Sequence, residues 1–149
     1  GDPRQLTVMG HSAGGHLAAM MLTCDWQKFD PELPAGIAMK GLTLSGLHDL
    51  APIRRTPFLQ DSLRHTPEDA LRCSPALMPA PRAATLYAVC GGDESPEFIR
   101  QNQLIRDKWG EEVVEVCEAL PGLQHFSVLE ALAQPGHTLQ QLALELIWR

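Results

Sequence analysis

No run of apolar residues in this 149-residue chain approaches the roughly 18 that a membrane-spanning helix needs. No segment near the start has the charged, apolar and small-residue order of a signal peptide. A basic excess is also missing: 12 Lys and Arg stand against 18 Asp and Glu, for a net charge of −6. Arg54-Arg55 is the one basic doublet, which excludes a phosphate-tracking surface and so a nucleic-acid partner. Cysteines are few. Cys24, Cys73, Cys90 and Cys117 form no CxxC pair and no metal-ligand spacing. They read as reduced, mostly buried thiols, and the expected setting is cytoplasmic. There is no internal repeat and no low-complexity tract. What remains is an ordinary globular mixture, 44% hydrophobic and 20% charged. It has the length of one domain and can bury about 68–70% of its unfolded surface.

The chain alternates strands and helices. Leu6–Met9 is short and apolar, a buried strand by length and flanks. Ala13 to about Cys24 favours helix, with Leu17, Met20, Met21 and Cys24 at i, i+3, i+4 and i+7. A Pro-rich loop covers Asp30–Gly36, and "GLTLS" at Gly41–Ser45 is a second strand. Residues 48–67, with Pro52, Pro57 and Pro67, read as loops and short helical turns. Thr66 is placed to cap a helix with Pro67 at its first position. Thr85–Cys90 is a third strand and Val113–Leu120 a fourth. Between them a helix starts at Ser95-Pro96, with Phe98, Ile105 and Trp109 on one face. "SVLEAL" begins a short helix, and Leu139, Leu142, Ala143, Leu146 and Ile147 mark an amphipathic helix at the end. This alternation predicts an α/β fold, a mostly parallel sheet of about four strands flanked by helices.

Gly10-His11-Ser12-Ala13-Gly14 satisfies G-x-S-x-G. The pattern is weak alone, but here it follows a strand and opens a helix, the context it requires. A serine in so tight a turn has its hydroxyl held clear of the sheet. Gly10 and Gly14 are expected to let strand and helix approach. The Ala13 N–H, at the helix start, points where an oxyanion would form.

Such a serine needs a base. Of six histidines, His11 and His16 flank it and are expected to pack or hydrogen-bond elsewhere. His48 and His65 lie in the excursion between strands two and three, and His137 in a surface turn. His125 follows the last strand, where a doubly wound sheet presents its functional loops. The acid comes from "GGDES" after strand three. Gly91 plus three is Glu94, which makes Glu94 the acid and Asp93 a turn residue; a loop one residue tighter exchanges them. Asp49 reads as a turn former. The order Ser12, Glu94, His125 is that of α/β-hydrolases.

"GHSAGGHLAAMML", "LSGLHDLAPI", "EDALRCSP", "GGDESPEFIRQ" and "LPGLQHFSVLEAL" together resemble the arylformamidase group (kynurenine formamidases) of the α/β-hydrolase fold. The likeness covers nearly the whole chain. In that group the acid directly precedes Ser-Pro-Glu-Phe, which selects Glu94, although the group usually has Asp there. Its members often carry an aromatic residue at the position of His48, a difference expected to alter the acyl or aryl pocket. The resemblance implies hydrolysis of N-formylkynurenine to formate and kynurenine, without metal or organic cofactor. A carboxylesterase acting on small or aryl esters, or a catalytically impaired fragment, would carry the same motifs. No strands and no HGGG-type oxyanion loop precede the serine strand. Residues 1–149 are therefore expected to form a single partial domain, the C-terminal half of a longer enzyme. Its first strand would present an open edge, to be met by a second copy or by the absent N-terminal segment.

Overall fold

The computed structural model describes residues 6–34 and 36–149, so Ala35, within the loop expected at Asp30–Gly36, lies outside it. Four strands form one parallel sheet in chain order: β1 (Thr7–His11), β2 (Lys40–Leu44), β3 (Thr85–Gly91) and β4 (Val114–Leu120). Each is parallel to its neighbour, with Thr7 opposite Lys40, Lys40 opposite Thr85 and Leu86 opposite Val114. The strands begin and end within one or two residues of the sequence expectation.

A sheet wound in simple order, with right-handed connections, carries its crossover helices on one face. That face holds α1 (Ala13–Thr23) and α6 (Pro96–Trp109), which bury Ala19, Leu22, Ile105 and Trp109 against Leu86, Ala88 and Val114. The opposite face is covered by α7 (Ser127–Ala133) and α8 (Thr138–Trp148), with Val128, Leu139, Ala143 and Leu146 against Leu42, Leu44, Tyr87 and Val89. Successive residues of β3 thus serve the two cores in turn, as period-two side chains must. Burial on both sides explains why the central strands read as continuous apolar runs. β1 differs. It was expected to be a buried strand with an open edge; among the described residues it and β4 are the two edge strands, and Met9 is 37% exposed.

A second correction concerns α1. The Leu17, Met20, Met21 and Cys24 stripe does not face the core; Leu17 is 59% exposed. The buried residues are Gly15, Ala18, Ala19 and Leu22, the same spacing carried mostly by small side chains. The helix lies so close to the sheet that bulk is excluded. A Cβ on Gly15 would stand 2.9 Å from Gly46 Cα. The thiols differ from expectation as well, since only Cys90 is buried and Cys24 is exposed.

The connection from β2 to β3 holds α3 (Ala51–Arg54), α4 (Pro57–Leu63), α5 (Pro67–Arg72) and a 3-10 turn at Pro75–Leu77, after the short α2 (Trp26–Phe29) earlier in the chain. At α5, Thr66 caps as expected. Its hydroxyl accepts from the Asp69 N–H at 3.1 Å while Asp69 accepts from the Thr66 N–H at 3.2 Å. No described helix is long and apolar enough to cross a membrane.

Candidate active site

Ser12 joins β1 to α1 with φ 56° and ψ −115°, a left-handed backbone that a non-glycine residue rarely adopts. Three contacts hold it there. The Ser12 N–H donates to Leu44 O at 2.8 Å, tying the corner to the end of β2. The His16 N–H donates to Ser12 O at 3.0 Å. Beneath the corner, Gly10 meets the backbone of Gly14 so closely that a Cβ there would fall 2.0 Å from Gly14 O. The expected pair of close-approach glycines is corrected in one member. A Cβ on Gly14 would meet nothing within 4 Å, and Gly15 is the crowded one. As the first helical residue, Ala13 has an N–H without an intrahelical acceptor, and it is exposed beside Ser12.

The structure brings Glu94 and His125 together. His125 Nδ1–H donates to Glu94 Oε2 at 2.8 Å. The Glu94 side chain is wholly buried, and its other oxygen accepts the Gly91 N–H at 2.7 Å and the Ser45 hydroxyl. The Gly91 contact is the physical content of counting three residues from the end of the strand, because the carboxylate folds back onto the glycine it is counted from. Asp93 is exposed. Its N–H donates to Leu123 O at 3.0 Å, and among the described residues its carboxylate pairs with nothing.

The His125 ring lies between His11 and Phe98, at centroid distances of 4.4 and 4.3 Å. His11 Nε2–H donates to His125 O at 2.6 Å. Burial holds the His11 imidazole below its ordinary range. Among the described residues, neither His125 Nε2 nor the Ser12 hydroxyl makes a hydrogen bond, so the structure joins Glu94 to His125 but not His125 to Ser12. Phe98 had been expected on the core face of α6; the core instead takes Gln101, Asn102, Ile105 and Trp109. Neither Phe98, in the first turn of α6, nor Ser45, just after β2, was identified as a site residue from the sequence, although both lie on the side where functional loops gather.

Two other histidines, His16 and His137, do structural work. His16 Nε2–H donates to Cys73 O at 2.7 Å, and His137 Nδ1 accepts the Leu139 N–H at 3.1 Å, capping α8. Asp49 accepts from the Ala51 N–H at 3.0 Å and from Arg100 at 3.0 Å, as a turn former would. Cys90, buried below the site, is pushed up to about 12 by its surroundings and by the Glu94 charge, so its thiol stays protonated.

Ser12 and Ala13 open on a cavity of about 530 Å³. Its walls come mainly from the β2–β3 connection, with Leu50, Ile53, Phe58 and His65 among them, and from Phe98 on α6. His48 is not part of that wall. It is fully buried, and neither ring nitrogen has a partner. Burial, reinforced by nearby His16, drives its imidazole down to about 3. Between its ordinary value near 6.5 and that depressed one, the unfolded chain takes a proton that the folded chain refuses. Stability should therefore fall as pH drops below about 6.5, by up to about 1.4 kcal/mol per unit. His48→Leu removes both the titration and two unpaired buried nitrogens. Thermal unfolding at pH 7 and pH 5 should show the variant melting a few degrees higher at neutral pH and losing less on acidification.

No family model matches the chain. At the sequence level it is 34% identical to a kynurenine formamidase of Danio rerio over 149 residues, and 32% identical to one of Salmo salar over 153. Each match takes in 95% of this chain and 49% of the relative. The chain thus spans about half the length of the curated relatives it matches, and corresponds to their C-terminal half. Among solved structures, a thioesterase candidate from Silicibacter sp. TM1040 superposes with a TM-score of 0.75 at 29% identity, over 95% of this chain and 49% of that one. The chain has part of an α/β-hydrolase fold, a four-stranded parallel sheet flanked by helices. β1, Ser12 and α1 make a strand–turn–helix corner, Glu94 lies in the loop after β3 and His125 in the loop after β4.

Proposed function

We propose that Ser12, His125 and Glu94 are the catalytic residues of a serine hydrolase that removes a small acyl group, formyl above all, from an aryl amide. N-formylkynurenine, yielding kynurenine and formate, is the substrate that the relatives' name suggests. The observation that carries the reading is the buried Glu94 carboxylate on His125 Nδ1 at 2.8 Å, beside a serine in a left-handed turn.

In this mechanism Ser12 Oγ attacks the formyl carbon as His125 Nε2 takes the hydroxyl proton. Glu94 keeps the imidazole in the tautomer with Nδ1 protonated and stabilises the imidazolium. The Ala13 N–H donates to the oxyanion. His125 then gives its proton to the aryl nitrogen as the C–N bond breaks. Water attacks the formyl-serine, with His125 as base, and the proton returns to Ser12 Oγ as formate leaves. The apolar cavity beside Ser12 suits an aromatic leaving group.

The structural likeness to a thioesterase candidate favours a second reading, a carboxylesterase for small or aryl esters. Hydrolysis of N-formylkynurenine and of p-nitrophenyl acetate, each with Ser12→Ala as the blank, separates the two. The formamidase reading expects kcat/KM on the formamide to match or exceed that on the ester. Cleavage of the ester alone would keep the serine chemistry and remove the formamide. Parallel labelling with a fluorophosphonate tests whether Ser12 is activated at all.

A further inference from the structure

We propose that Ser45 is a positioning residue for Glu94. Its hydroxyl holds one carboxylate oxygen so that the other faces His125. This rests on the Ser12–His125–Glu94 reading and adds a fourth side chain to it.

Ser45 is the residue immediately after β2 and is completely buried. Its backbone is left-handed, with φ 49°, and its N–H donates to Val89 O of β3 at 2.8 Å. At such a φ, glycine is the residue with least strain. A serine there contributes only what its side chain does, and the side chain makes one contact: Oγ–H donates to Glu94 Oε1. That oxygen also takes the Gly91 N–H at 2.7 Å, leaving Oε2 for His125 Nδ1 at 2.8 Å. The left-handed turn swings the serine off the line of its strand and over to the loop that leaves β3.

The length of the acid explains why a second clamp is useful. A glutamate has one more methylene, and one more free torsion, than an aspartate. The Gly91 N–H alone fixes one point of the carboxylate. Adding Ser45 from the neighbouring strand fixes its plane, and with it the direction from which Nδ1–H is met. Hydrogen bonds from neutral donors to a buried carboxylate are among the stronger ones.

The discriminating variant is Ser45→Gly, which relaxes the left-handed backbone and deletes only the hydroxyl. Labelling of Ser12 by a fluorophosphonate is followed for the wild-type chain, Ser45→Gly, Glu94→Asp, the double variant and Ser12→Ala. Ser45→Gly should melt no lower than wild type yet label about 10- to 100-fold more slowly, the size expected for one bond to a charged group. In the Glu94→Asp background, whose shorter acid cannot span Ser45 and His125 together, the same change should cost under about threefold, a clear failure of additivity. The His125 Nδ1–H proton resonance, which needs no turnover, should weaken or move upfield in Ser45→Gly and in Ser45→Ala. Wild-type labelling by Ser45→Gly would overturn the proposal and leave the Ser12 reading intact. An undiminished Ser45→Gly penalty in the Glu94→Asp background would also overturn it, because the hydroxyl would then act elsewhere. Wild type labelling no faster than Ser12→Ala would remove the triad reading and this inference with it.

Discussion

Glu94→Gln should lower turnover at Ser12 by on the order of 10⁴-fold, while Asp93→Asn, one residue away, stays within about twofold of wild type. The asymmetry follows from geometry. Glu94 is sealed from solvent and meets His125 Nδ1–H at 2.8 Å; Asp93 is exposed and meets no side chain. An amide at position 94 can turn its NH₂ toward Nδ1. That stabilises the imidazole with its proton on Nε2, where it cannot accept the serine proton. The fold should survive, because the Gly91 N–H and Ser45 hydroxyl can still be met by the amide oxygen. Steady-state kinetics on the better of the two substrates, with melting curves as a control for folding, decides it. A large loss in Asp93→Asn and none in Glu94→Gln would assign the acid to the wrong residue.

The second large effect concerns backbone space. Gly10→Ala should prevent the elbow from closing and cost more than about 4 kcal/mol, a size reached only by a few mechanisms. The new methyl would sit 2.0 Å from Gly14 O and 2.8 Å from Gly15 N. Both are main-chain atoms in the first turn of α1, so no side-chain movement relieves the clash. Gly14→Ala is the matched control, because its methyl meets nothing within 4 Å. It exchanges a weak helix former for the best one and should leave the melting temperature unchanged or higher. Expression, circular dichroism and thermal melts of the two variants give opposite outcomes if this packing is right. A folded, stable Gly10→Ala protein would show that strand and helix have room to separate.

The pattern of what could be read in advance has a physical basis. Strand and helix order was legible because burial on both faces makes the central strands continuously apolar. Pro67 after Thr66 and the amphipathic stripe of α8 are likewise local signals. The pairing of Glu94 with His125 was legible because the strand order brings the loops after β3 and β4 together, and a glycine count selects between adjacent acids. α1 was misread because periodicity weighs large side chains, whereas a helix pressed against a glycine-bearing sheet buries its smallest ones. The same blindness to close approach put the second crowded glycine at Gly14 rather than Gly15. Ser45 gave no local signal. Its role depends on a left-handed turn and on a carboxylate 49 residues later in the chain. His48 looked like a pocket residue because it lies in the excursion that supplies the cavity wall, yet its own ring turns inward.

That excursion has a consequence for how such a molecule can change. Ser12, Glu94 and His125 stand on three short connections held by main-chain geometry and one buried carboxylate. The cavity wall between Leu47 and His65 belongs to a separate stretch, running from the end of β2 to the start of β3. On the proposed mechanism, proton handling and shape selection are therefore written in different parts of the chain. Replacement, lengthening or repacking of the short helices α3 and α4 can retune which acyl or aryl group fits while the relay from Ser12 to Glu94 is left alone. On the proposed mechanism, a change of acyl or aryl preference then needs no movement of Ser12, His125 or Glu94.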